Sequence, residues 1–74
     1  MQITIMYFAA LKDQMKKSED NYETATGATP ASVAREILGF DTLLLFAVND
    51  EIVARDRLLC DGDRLAFIPP MAGG

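Results

Sequence analysis

The chain has 74 residues, half of them apolar, with no histidine, no tryptophan, one cysteine and a net charge of −4. That length allows a single domain with a modest core, burying roughly 60% of the unfolded chain's surface. The missing histidine removes the usual general base, lone Cys60 cannot close an intramolecular disulfide, and the acidic balance argues against non-specific nucleic-acid binding.

In chain order, Gln2 to Phe8 is rich in β-formers and reads as a strand with Ile3, Ile5 and Tyr7 on one face. The other face, Thr4, Met6 and Phe8, is more apolar than a solvated face requires. Ala9 to Lys17 then favours a short helix, with Leu11 and Met15 on one stripe and Lys12, Lys16 and Lys17 in water. Ser18 to Asn21 reads as a connection and Tyr22 to Ala25 as a second strand. Thr29-Pro30 marks a helix start, since threonine caps well and proline suits the first helical position. Val33, Ala34, Ile37 and Leu38 form its inward face, and Gly39 is placed to end it. Leu44 to Val48 reads as a buried strand that turns at Asn49-Asp50 into a short return strand, Glu51 to Ala54. A second turn, Asp61-Gly62-Asp63, leads into a last strand from Arg64 to Ile68. The order implies an α+β roll: a sheet crossed by one main helix, with a short extra helix after the first strand.

Side chains offer little chemistry. Cys60 has no neighbouring histidine or lysine to stabilise a thiolate, and reads as an ordinary structural or surface cysteine. Asp61-Gly62-Asp63 lacks the longer ligand series of a calcium loop and reads as a turn, and no metal site is expected. The three lysines read as a solvated helix face, with partner docking as the lesser alternative. Met1-Gln2 carries no basic region, and the longest apolar run, Leu43 to Val48, is far too short to cross a membrane. With an unpaired thiol, these features favour the cytoplasm. The C-terminal segment stands apart. Pro69-Pro70 cannot extend a ladder, and Met71-Ala72-Gly73-Gly74 can reach about 13 Å beyond a domain body spanning residues 1–70. Two glycines suit a slot too narrow for side chains, although simple fraying of a terminus is the competing reading.

Tyr7-Phe8-Ala9-Ala10-Leu11, Ala47-Val48-Asn49, Asp61-Gly62-Asp63 and Ile68-Pro69-Pro70-Met71-Ala72-Gly73-Gly74 resemble, in order, the small subunit of molybdopterin synthase. The ending is the most specific element. The connection from Gly39 to Leu43 is shorter than in that family, so a secondary helix is expected to be trimmed or missing there. The resemblance implies a ubiquitin-like β-grasp fold, a mixed sheet of about five strands, acting as a sulfur carrier. It implies that the Gly74 carboxylate is adenylated by an ATP-dependent activating enzyme and becomes a thiocarboxylate. A tail of Pro70, Met71, Ala72 and Gly73 would carry it into the large synthase subunit, in a heterotetramer with two copies of each chain. There sulfur would pass to cyclic pyranopterin monophosphate. The family's docking patch maps to Phe8, Ile52 and Ile68. The carrier itself would bind no cofactor, and its partners would supply the catalytic residues.

Two alternatives stand beside this. A carrier of the same fold supplies sulfur to the thiamine thiazole and shares the Gly-Gly ending. A non-carrier interaction domain or protein modifier would instead form amide links or none. Strand alternation supports the docking patch independently: if Ile3 and Ile5 face the helix, Phe8 points away, and if Leu65 and Phe67 point inward, Ile68 does not.

Overall fold

Period-two alternation sets the first strand. In the computed structural model, which describes residues 1–70, β1 (Gln2–Tyr7) buries Ile3, Ile5 and Tyr7 and leaves Thr4 and Met6 partly open. Helix α1 (Ala10–Met15) is shorter at both ends than the sequence suggests. Ala9 has φ 52° and supplies no side-chain cap, while Lys16 turns left-handed at the other end. Leu11 is buried in the core and Met15 packs against it.

The second strand is displaced from its expected place. β2 spans Glu19–Glu23 rather than Tyr22 to Ala25, and Glu19 to Asn21 belong to it instead of to a connection. Its polar residues are weak β-formers, but β1 supplies a ladder running from Gln2 opposite Glu23 to Met6 opposite Glu19. An edge strand needs only one such neighbour, and its charges can stay in water. Beyond it, the Thr24 N–H donates to the Met1 carbonyl at 2.9 Å, and the Met1 ammonium donates to the Thr24 carbonyl at 2.7 Å.

Helix α2 (Pro30–Leu38) starts and stops where Thr29-Pro30 and Gly39 indicate. The Thr29 hydroxyl accepts from the Ser32 N–H at 3.2 Å, and the Ser32 hydroxyl accepts from the Thr29 N–H at 2.9 Å. This reciprocal pair satisfies donors that the first turn otherwise leaves open. Gly39, with φ 86°, closes the helix by donating to the Arg35 carbonyl at 3.0 Å. The chain then reaches β3 (Leu45–Val48) without a further helix, as the short connection implies.

β3 and β4 (Glu51–Val53) form a hairpin through Asn49 and Asp50, whose φ values of 52° and 72° suit a tight two-residue turn. The Asn49 side chain then reaches the start of β5 (Arg64–Ile68), accepting from the Arg64 N–H at 3.0 Å and donating to Asp63 at 3.1 Å. The other Asp63 oxygen accepts from the Cys60 N–H at 2.8 Å. The sheet order is β2-β1-β5-β3-β4, with β1 and β5 parallel and the remaining pairs antiparallel. Val33 and Ala34 of α2 share one core with Ile3, Ile5, Tyr7, Phe46, Val48, Leu65 and Phe67. Phe67 sits at its middle, 6.2 Å from the Tyr7 ring and 6.0 Å edge-on from the Phe46 ring. One helix held across a mixed five-stranded sheet is the ubiquitin-like β-grasp arrangement.

Candidate functional site

The sheet has two faces, and only one meets α2. On β5, Leu65 and Phe67 are fully buried inward, so Ala66 and Ile68 belong to the outer face. On β3, Phe46 and Val48 point inward, which turns Leu45 and Ala47 outward. Register then assembles a surface. Ile68 lies opposite Leu45, Ala66 opposite Ala47, and Ala47 opposite Ile52, while Met6 on β1 pairs with Ala66. Phe8 follows Tyr7, the residue opposite Phe67, and so stands at the same end of the sheet as Ile68.

Phe8 is 41% exposed, Ile52 64% and Leu45 56%, while Ile68 is half-buried. Ala47 and Ala66 are covered, yet neither belongs to the core cluster beneath α2. They form a shallow floor between larger apolar side chains. Arg64 borders it, its guanidinium 3.7 Å from Glu19 and 3.5 Å from the Met6 sulfur. A contiguous apolar patch with a charged rim is the anatomy of a protein-binding surface. Phe8, Ile52 and Ile68 therefore share one face. Phe8 and Ile68 stand at one end, and Ile52 lies two strands across, about 10 Å from β5 at ordinary strand spacing. Leu45 joins them. Sequence reasoning missed it because the uninterrupted apolar run from Leu43 to Val48 hides which residues alternate outward.

β5 also aims the chain's end. Its last residue, Ile68, leads directly to Pro69 and exposed Pro70, beside Phe8 and Leu45. Met71, Ala72, Gly73 and Gly74, the remaining candidate site residues, lie outside the described part of the chain. The features set aside in the sequence have ordinary surroundings. Cys60 is exposed, and Asp61-Gly62-Asp63 is a turn in which Gly62 has φ 86° and the Asp61 carboxylate accepts from the Gln2 N–H at 2.8 Å. Lys17 pairs with Asp20 at 2.7 Å, a hydrogen bond that raises the lysine above its usual pKa. Among the described residues no cluster of three acidic or cysteine side chains is arranged for a metal ion, and no helix is long and apolar enough to cross a membrane.

One charged cluster lies near the exit end and was not foreseen. Asp41 is buried, and its carboxylate accepts from both Arg35 and Arg55, the latter at 2.6 Å. Burial alone would raise its pKa, but the hydrogen bonds and charges of Arg55 and Arg35 outweigh this and hold it below the ordinary value. The three side chains tie α2 and the connection after it to the chain leaving β4. Tyr7, at the end of β1, has its phenol raised chiefly by burial and secondarily by the charge of Asp20.

Residues 5–74 match the model of the ThiS family. The chain belongs to that family. This ThiS-family chain is 34% identical to the molybdopterin synthase sulfur carrier subunit of Chlamydomonas reinhardtii, over 83 aligned positions covering all of both chains. It is 53% identical to the corresponding Escherichia coli subunit over 34 residues, 46% of this chain and 42% of that one. Among solved structures, small archaeal modifier protein 1 of Haloferax volcanii superposes with a TM-score of 0.81 at 18% identity, covering 95% of this chain and 98% of that one. In the complex of subunits 1 and 2 of the Helicobacter pylori molybdopterin-converting factor, a chain superposes with a TM-score of 0.62 at 21% identity, over the full length of both. At those identities the structural likenesses speak for the β-grasp fold.

Proposed function

We propose that this ThiS-family chain is the sulfur carrier subunit of a molybdopterin synthase. The observation that carries the reading is the full-length likeness to the Chlamydomonas reinhardtii subunit. It is supported by an outer face whose apolar side chains stand beside Ile68, the last residue of β5. A carboxylate is a poor acyl electrophile, so Gly74 must first be activated. Adenylation by an ATP-dependent partner forms an acyl-AMP anhydride and releases pyrophosphate, and attack by sulfide-level sulfur then expels AMP and leaves a thiocarboxylate at Gly74. Gly73 keeps the approach narrow, because it adds no side chain to the slot that receives it. Phe8, Ile52 and Ile68 dock the body on the large subunit, in an assembly with two copies of each chain. Sulfur then passes to cyclic pyranopterin monophosphate. Acid, base and cation groups for these steps come from the partners, in keeping with a sequence without histidine.

The intact mass of the protein, purified from cells with an active sulfur-transfer pathway, tests the carrier role. Exchange of one oxygen for sulfur, localised to Gly74, is the expected result. Its absence after incubation with ATP, a competent activating enzyme and a sulfur source counts against a carrier, and an isopeptide link to lysine identifies a protein modifier instead. Complementation separates the two sulfur carriers: rescue of a molybdoenzyme-deficient strain is expected, whereas rescue of a thiamine auxotroph alone overturns the molybdopterin assignment.

A further inference from the structure

The methionines of this chain have different surroundings. Met1 and Met15 pack against the core, and Met71 lies outside the described residues. Met6 is not part of that packing: strand alternation turns it to the outer face, where it is partly open. It lies opposite Ala66 on β5 and two residues before Phe8. The Ala66 methyl group is too small to cover a side chain of that length.

One polar group does reach the thioether. The Arg64 guanidinium donates to the Met6 sulfur at 3.5 Å. A thioether is a weak acceptor, so this contact uses little of what an ionised donor offers. The Glu19 carboxylate stands 3.7 Å from the same guanidinium, beyond hydrogen-bond length, and the arginine side chain is half exposed. A sulfoxide oxygen, by contrast, is a strong acceptor. Arg64 is therefore the donor that Met6 would need if its sulfur gained an oxygen.

We propose that Met6 is a reversible oxidation site: its sulfoxide, held by Arg64, puts a polar group into the apolar face and weakens docking of the large subunit. The docking half of this rests on the carrier reading. The oxidant is a peroxide. A sulfur lone pair attacks one peroxide oxygen, and the O–O bond breaks as the S–O bond forms. The hydroxide released takes the proton of the transferred oxygen and leaves as water. Sulfur loses two electrons and the peroxide gains them. Methionine sulfoxide reductases, one for each sulfoxide epimer, reverse the step. The Arg64 contact occupies one sulfur lone pair and leaves the other to the peroxide, so one epimer forms in excess. Rotation within the flexible side chain then turns the new oxygen to the guanidinium.

The full chain ending at Gly74 is titrated into the molybdopterin synthase large subunit by calorimetry, before and after hydrogen peroxide, with peptide mass mapping to follow Met6. With Met6 converted, the parent is expected to bind about tenfold more weakly, the scale of an interface contact, and to recover on reduction. Without peroxide, Met6→Gln, which puts a polar amide near the place of the sulfoxide, should match the oxidised chain. Met6→Leu should bind within about twofold of the parent. Parent-like binding by Met6→Gln or by the oxidised chain overturns the proposal, as does an equal loss in peroxide-treated Met6→Leu. One reductase should remove most of the Met6 oxygen in the parent, but only about half of it in Arg64→Gln. Equal shares in the parent overturn the role given to Arg64. All these failures leave the carrier reading standing, whereas no binding by the untreated parent overturns that reading and the control of docking with it.

Discussion

Phe67 and Ile68 are consecutive residues of one strand, and the fold uses them for different purposes. Phe67 is wholly buried between Tyr7 and Phe46 on the face covered by α2. Ile68 keeps part of its surface open on the other face, opposite exposed Leu45. Both faces are apolar, so hydrophobicity alone does not distinguish core from docking surface. The presence of a helix does. α2 supplies one face with Val33 and Ala34, whereas among the described residues the other has only its own small floor of Ala47 and Ala66. An apolar sheet face left open in this way is the signal of a partner-binding surface.

Substitutions on the two faces can break this comparison. Phe67→Ala should have the largest effect, removing a ring from the middle of the core at a cost of about 3–5 kcal/mol. A small domain has a total stability of only about 5–15 kcal/mol, so chemical denaturation should find the variant unfolded or close to it. Ile68→Asp should leave the domain folded and weaken binding to the large subunit at least about tenfold, or roughly 1.4 kcal/mol. Circular dichroism and calorimetry on the same sample separate these outcomes. If Ile68→Asp unfolds the protein, the outer face belongs to the core after all. If it binds like the parent, Ile68 does not belong to the interface.

How far the sequence reveals this division depends on the range of the interactions involved. Thr29-Pro30, Gly39 and Asn49-Asp50 were legible because capping and turn preferences act within a few residues. Phe8 and Ile68 were placed on the outer face by alternation from inward neighbours. Leu45 was not, because an all-apolar run carries no period. β2 was misplaced because Glu19 to Asn21 have little strand preference of their own and pair only because β1 is there. Asp41 gave no local sign of burial, since one of its partners, Arg55, comes from beyond the next hairpin. The role of Gly74 was legible only through resemblance: its chemistry belongs to a backbone carboxylate, which no residue count distinguishes.

The Asp41 cluster permits the smallest and most selective test of the exit end. Arg55 and Arg35 depress its carboxyl pKa below the 3.8 of an unperturbed aspartate, despite the opposing effect of burial. The unfolded chain therefore takes up this proton at higher pH than the folded one. Its contribution to stability is fully present well above pH 3.8 and is lost as the pH falls below that value through the folded-state pKa. Asp41→Asn removes the titrating group, so its melting temperature should fall less steeply than the parent's across that acid window. Both arginines are about half exposed, so the difference should shrink in high salt. Parallel acid limbs for parent and variant would mean that the connection before Leu43 is held by packing alone. In the expected case, Arg35 and Arg55 tie the connection after α2 to the chain leaving β4 through Asp41, and removing its charge loosens that tie only where the carboxylate is ionised.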